Sequence, residues 1–179
     1  MQIQSHIRTR IPIFQIEESL QDVIQFFKDT TFSHVAITKK NKFLGVLGEN
    51  DVENFEANKK IVDYHYSLDS FLVRKETGWL DVLEIFARNE ANLLPVLDAE
   101  DRVVGYYDLT DIVGVFIDTP FFTEPGSIFV VSKGAKDYSF SEIAQIVESN
   151  NTKFIGGFIT DMKNDVVQVT IKNWYYTYQ

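Results

Sequence analysis

Apolar positions in the first two thirds of the chain recur in a fixed order. Leu20, Val23, Ile24 and Phe27 follow i, i+3, i+4, i+7, the stripe of an amphipathic helix, and Trp79, Val82, Leu83 and Phe86 repeat it 59 residues later. Ser19 and Thr77 precede the stripes, and each supplies a hydroxyl able to accept from an orphan backbone N–H, so both are expected N-caps. The run His34-Val35-Ala36-Ile37 matches Leu93-Leu94-Pro95-Val96 at the same offset. Lys42 to Leu47 then matches Arg102 to Tyr107 at an offset of 60, which places one extra residue in the second turn. Each pair of runs predicts two short strands, entered by an extended segment (Ile11-Pro12-Ile13 and Phe71-Leu72-Val73). A helix starting near Glu49-Asn50-Asp51-Val52 and near Leu109-Thr110-Asp111-Ile112 closes each copy.

A unit of about 55 residues leaves most of its sheet in water, so two copies are expected to pack as one module. The expected boundaries are 1–58 and 59–118. Pro120, Pro125 and Gly126 then mark 119–126 as a linker by composition. Beyond it, 127–179 reads as strand, helix, strand, strand. Ser127 to Val131 is the first strand, and Phe140, Ile143, Ala144 and Val147 form the helical stripe behind a capping box of Ser139 and Glu142. Phe154 to Thr160 and Val166 to Ile171 are the later strands. The fold class is therefore α/β of the α+β type.

The composition, 45% hydrophobic and 24% charged over 179 residues, is that of a chain with a real core. The formal charge is −9, and residues 1–118 hold 12 basic against 20 acidic residues, which argues against nucleic acid and anionic membranes as partners. Absence of Cys removes disulfides, thiolate nucleophiles and Cys-ligated zinc. With no long apolar run and no apolar stretch behind Arg8 and Arg10, neither a membrane helix nor a signal peptide is expected, and the expected location is the cytoplasm. No glycine-rich phosphate cradle is present, and no nucleophile has an adjacent base, so no enzyme is expected. His6, His34 and His65 lack metal-ligand spacing.

The order of elements, the run Leu94-Pro95-Val96 and the Gly45/Asp51 and Gly105/Asp111 spacings resemble a tandem pair of CBS domains, the cystathionine β-synthase type regulatory module, over roughly residues 3–118. The resemblance implies a module, usually dimeric, whose cleft between the copies holds an adenine nucleotide or related adenosyl ligand such as AMP, ATP or S-adenosylmethionine. The family's contact stretch is Gly-x-x-Ser/Thr-x-x-Asp. Here it reads Gly45 to Asp51 and Gly105 to Asp111, with the hydroxyl residue replaced by Gly48 and Asp108. The implied ligand residues are Gly48, Asn50 and Asp51 in the first copy and Asp108, Thr110 and Asp111 in the second, with His34 near the cleft as a base-stacking candidate.

At about 4 Å a phosphate beside Asp108 would cost on the order of 4 kcal/mol, so phosphate there needs a bridging cation. Asp108 and Asp111 with Glu49 or a nucleotide phosphate are the candidates for holding magnesium. An alternative role for Asp51 and Asp111 is to complement a helix N-terminus, worth about 0.3–1 kcal/mol.

The C-terminal βαββ order resembles the first two thirds of an ACT domain, an amino-acid-sensing unit, without its second helix and fourth strand. Its counterpart of the ACT ligand loop is Lys133 to Asp137, with Gly134 and Asp137 as candidates. Trp174, Tyr175, Tyr176 and Tyr178 form a terminal aromatic cluster.

The expected function is non-enzymatic regulation through an adenosyl ligand, with no resident cofactor or metal. A homodimer is expected through Val52/Phe55 and Ile112/Val115/Phe116 and through pairing of C-terminal units, together with an unidentified regulated protein. The alternative is an assembly or interaction module with a degenerate, empty cleft.

Overall fold

In the computed structural model, which describes residues 1–175, both apolar stripes are helices at the expected places. The first copy consists of β1 (Phe14–Gln15), α1 (Leu20–Asp29), β2 (His34–Lys39), β3 (Lys42–Gly48) and α2 (Glu49–Val52). The second consists of β4 (Val73–Arg74), α3 (Trp79–Arg88), β5 (Leu93–Leu97), β6 (Val103–Asp108) and α4 (Leu109–Ile117). Each copy forms a three-stranded sheet, β1-β2-β3 and β4-β5-β6, with the first pair parallel and the second antiparallel.

Local chemistry explains the boundaries. Ser19 caps α1 as expected, its Oγ accepting from the Gln21 N–H at 3.2 Å. Thr77 does not cap α3: the N-cap is Gly78, and the Thr77 hydroxyl accepts from the Arg74 N–H (2.9 Å), closing the turn before the helix instead. Lys40 and Asn41 take φ of 50° and 63°, the mirror-image turn that suits a two-residue hairpin. The matching turn of the second copy is one residue longer, and the Asp98 carboxylate holds it by accepting from the Glu100 and Arg102 amides.

The two sheets bury each other. Val35, Ala36 and Ile37 of β2 and Leu93, Leu94, Val96 and Leu97 of β5 are all buried, and Leu93 and Tyr106 of the second copy belong to the first copy's core. At the junction the backbone N–H of Ser33 donates to Asn92 Oδ1 (2.8 Å), and that of Asn92 donates to Ser33 Oγ (2.9 Å). Tyr106 ties both copies as well, its hydroxyl accepting from the Ala36 N–H (3.0 Å) and donating to the Pro12 carbonyl (2.7 Å). Burial pushes this phenol far above its ordinary pKa. Val52 and Ile112, expected on exposed dimer faces, are buried within the chain, and Phe55 stacks on Tyr64 at 3.8 Å.

The chain divides into two compact units at residues 115/116, slightly before the expected 118. Phe116 falls in the second unit, where its ring meets Phe122 at 4.8 Å. Within the expected linker lies a helical turn, α5 (Pro120–Thr123), with Pro120 in the first turn, where its fixed φ suits a helix start. The order that follows is the expected βαββ: β7 (Ser127–Gly134), α6 (Phe140–Glu148), β8 (Thr152–Lys163) and β9 (Val166–Tyr175), with sheet order β7-β9-β8.

The last two strands outrun their apolar alternation because a two-residue turn, Asn164-Asp165 with both φ positive, extends the ladder to Lys163 and Val166. The Ser139 hydroxyl accepts from the Glu142 N–H, while the Glu142 carboxylate lies 3.5 Å from Lys133 Nζ. Under α6, Ile143 packs with Val167, Val169 and Ile171. Across the sheet, Phe121 of α5 sits against Gly156, and Lys172 Nζ donates to the Phe121 carbonyl at 2.6 Å. Trp174 and Tyr175 end β9; Tyr176 and Tyr178 lie outside the described residues.

Replacing Tyr106 with Phe leaves the Ala36 N–H buried without its acceptor, and should lower the unfolding free energy by about 1–3 kcal/mol. Urea denaturation of Tyr106→Phe beside the parent measures this. Equal midpoints would show that the hydroxyl contributes nothing to the junction.

Candidate functional site

Each copy turns from its third strand directly into a short helix, so the residues at that corner project from a fixed backbone. In the first copy the corner is Gly48, the last residue of β3, followed by Glu49, Asn50 and Asp51 of α2. The register pairs Gly48 with His34 of β2. A methyl group on Gly48 would lie 3.3 Å from His34 Nε2 and 3.4 Å from Asp51 Oδ2, so the missing family hydroxyl leaves room for these two side chains.

His34, Gly48, Asn50 and Asp51, four of the expected ligand residues, line one cavity of about 240 Å³ together with Ser33, Glu49, Asp69, Asn89 and Glu90. Asp69 comes from the segment that enters the second copy; its backbone pairs with Val46.

His34 is half-buried. Its Nδ1 lies 2.7 Å from Ser33 Oγ, and its ring meets Phe71 edge-on at 5.0 Å. Ser33 Oγ also accepts from the Asn92 N–H, which ties His34 to the junction between the copies. Burial lowers the His34 pKa below its ordinary value, while the charges of Asp69 and Asp51 oppose that shift without cancelling it. Four carboxylates (Glu49, Asp51, Asp69 and Glu90) face one neutral imidazole, so the cavity favours neutral or cationic guests over polyanions.

The second copy differs. Asp108 ends β6 and accepts from the Thr110 N–H (2.9 Å), capping the start of α4. Asp111 is held by Arg8: Nε donates to Oδ2 at 2.7 Å and Nη2 to Oδ1 at 2.9 Å, with Nη2 also 3.3 Å from Asp108 Oδ2. The Arg8 guanidinium holds the Asp111 carboxyl below the usual carboxylate range. Here Asp108 does not present an open negative charge, as expected from its sequence position, because Arg8 offsets it. The magnesium trio does not form either: Glu49 lines the other cavity, and no cluster of three metal-ligating side chains occurs among the described residues.

Of the C-terminal candidates, Gly134 ends β7 and accepts from the Asp137 N–H (2.9 Å), an ordinary turn in which the Asp137 carboxylate folds back towards Gly134. Neither lines the apolar groove of about 430 Å³ between α6 and β7, whose walls include Phe129, Val131, Ile143, Ile146 and Ile171.

Sequence reasoning missed Asp69 and Arg8. Both lie in the segments entering the copies, and the signal was the repeat itself: each precedes a matched extended run (Ile11-Pro12-Ile13 and Phe71-Leu72-Val73).

A neutral His34 in the fold means that stability is full above the ordinary histidine range and declines as pH falls below it, where the unfolded chain binds the proton first. NMR titration of the His34 ring should give a midpoint below the ordinary value of 6.5, and Asp69→Asn should lower it further by removing an opposing charge. A midpoint that rises in Asp69→Asn would contradict this electrostatic account.

Comparison with known proteins agrees with the fold. Residues 3–58 and 63–118 each match the CBS domain family. An uncharacterized protein of Methanocaldococcus jannaschii is 20% identical over 114 residues, which are 63% of this chain and 43% of the relative; the chain thus spans less than half of that protein's length. A CBS domain pair/ACT domain protein from Thermotoga maritima superposes with a TM-score of 0.58 at 17% identity, covering 66% of this chain and 98% of the other. The CBS protein CBSX2, solved with AMP, superposes with a TM-score of 0.52 at 16% identity over 65% of this chain and 96% of the other. At such identities the likeness shows the fold. Among the described residues no helix is long and apolar enough to cross a membrane. The chain belongs to the CBS-domain family: residues 3–58 and 63–118 carry a CBS pair, and a βαββ unit of ACT-like order follows it.

Proposed function

We propose that this protein senses an adenosyl-type metabolite with few or no phosphates, bound at the first-copy cavity. The observation that carries the reading is the convergence of His34, Gly48, Asn50 and Asp51 with Asp69 on one cavity of a CBS pair. Asp51 offers acceptors for ribose hydroxyls, His34 presents its ring to the cavity, and the surrounding carboxylates repel phosphates. A relative of this fold has been solved with AMP, which supports an adenine nucleotide class of ligand. Binding ties α2 and β3 of one copy to the entry segment of the other, so occupancy reports on how the two copies pack.

Isothermal titration in metal-free buffer should show adenosine or S-adenosylmethionine binding more tightly than ATP, and Asp51→Ala should weaken binding at least about tenfold, the loss of one charge-assisted hydrogen bond. Tighter ATP binding without a divalent ion, or unchanged affinity in Asp51→Ala, would remove the reading.

Self-association belongs to the same proposal. β7 is an edge strand, and its Ile128 and Val130 are 64% and 60% exposed. Pairing with β7 of a second copy would cover the open edge and these side chains. Sedimentation velocity should show a dimer at tens of micromolar, shifted toward monomer by Val130→Lys on the edge. A parent protein that is monomeric at that concentration sinks the dimer.

A further inference from the structure

The two copies carry different side chains at one equivalent position. In the first copy the backbone of Val46, the residue after Gly45, exchanges two hydrogen bonds with Asp69, both 2.9 Å. In the second copy Tyr106, the residue after Gly105, exchanges the same two bonds with Arg8, at 2.8 and 2.9 Å. Both glycines are required by this approach, since a methyl group would meet the Asp69 carbonyl at 2.8 Å and the Arg8 carbonyl at 2.5 Å. Asp69 and Arg8 therefore occupy the same place in the repeat, each delivered by the segment entering the other copy. Asp69 lines the cavity that holds Asp51; Arg8 forks onto Asp111 and reaches Asp108.

We propose that Arg8 is a built-in ligand of the second copy, so that the chain takes one adenosyl ligand, at the first copy, and the residue at the Asp69/Arg8 position decides which copy is open. The inference rests on the reading of the first-copy cavity given above.

Three features support it. The guanidinium engages both oxygens of Asp111, the carboxylate whose counterpart Asp51 faces the open cavity. Its backbone is pinned by the Tyr106 pair, and Ile3 upstream is buried in the second copy's core, so the arginine is held in place at little further cost in freedom. The first copy has no such cation: an aspartate stands in the arginine's place, and the carboxylates there are left to a guest.

The test is calorimetry with S-adenosylmethionine on the full chain, Arg8→Ala and Asp69→Arg, with amide NMR shifts assigning each binding event to residues 45–51 or 105–111. The expected result is about one ligand per chain in the parent, with shifts confined to 45–51. Arg8→Ala should bind about two, with new shifts at 105–111, and Asp69→Arg should lose first-copy binding by about a hundredfold or more. Arg8 has an exposed side chain, so its truncation keeps the fold, and matching amide spectra of the unliganded proteins would verify that. Two ligands in the parent, or no second-copy binding in Arg8→Ala, overturns the inference. A parent that binds nothing while Arg8→Ala binds at 105–111 removes the first-cavity reading and leaves the role of Arg8 standing.

Discussion

The mutual burial of β2 and β5 is the constraint on which the CBS pair depends. A three-stranded sheet with a two-residue outer strand cannot cover both faces of its own central strand: α1 and α3 cover one face of β2 and of β5, and the other copy covers the rest. Each fully buried aliphatic side chain there stabilises the fold by roughly 1.5–3 kcal/mol relative to exposure, and for residues such as Leu93 that amount depends on the other copy. The polar groups at the same junction are reciprocal. Ser33 and Asn92 serve each other's amides, and Tyr106 supplies the hydroxyl that the Ala36 N–H needs.

Packing of this kind positions the ligand corners. The strand that ends in Gly48 or Asp108 is fixed by the shared core, and the helix that follows is anchored by Glu49 N–H to the Ser33 carbonyl and by Leu109 N–H to the Asn92 carbonyl, at 2.9 and 3.0 Å. The two corners share this anchoring and differ in their side chains: His34 and Gly48 leave one open, while Asp108 with Arg8 occupies the other.

Much of this was legible in the sequence because the repeat has a period, and a period survives divergence of individual residues. The one-residue lengthening of the second turn, the stripes of α1 and α3 and the βαββ order of the C-terminal unit all follow from spacing alone. The candidacy of His34, Gly48, Asn50 and Asp51 came instead from the resemblance to CBS domains, and these four lie on adjacent ends of one hairpin and the helix it feeds. What spacing does not show is a contact made between copies. Arg8 meets Asp111 across 103 positions, and Asp69 reaches a cavity otherwise built from the first copy and the end of α3. Thr77 and the Pro120–Thr123 turn were misread for a more local reason. A hydroxyl near a helix start can serve the preceding turn instead, and a proline-rich stretch can begin a helix as readily as interrupt one.

The exchange of entry segments also makes the two halves of the pair mutually dependent in their connectivity. Residues 3–8 lead into the first copy yet lie on the second, while Asp69 leads into the second yet pairs with the first. The covalent link between them runs through Glu56 to Lys59, an exposed stretch at the surface. Nicking the polypeptide there would sever one strand of chain but none of the cross-braces, so the fragments would remain clasped as a noncovalent pair. Such an arrangement lets the joining loop lengthen, shorten or accept an insertion while the architecture it connects stays whole.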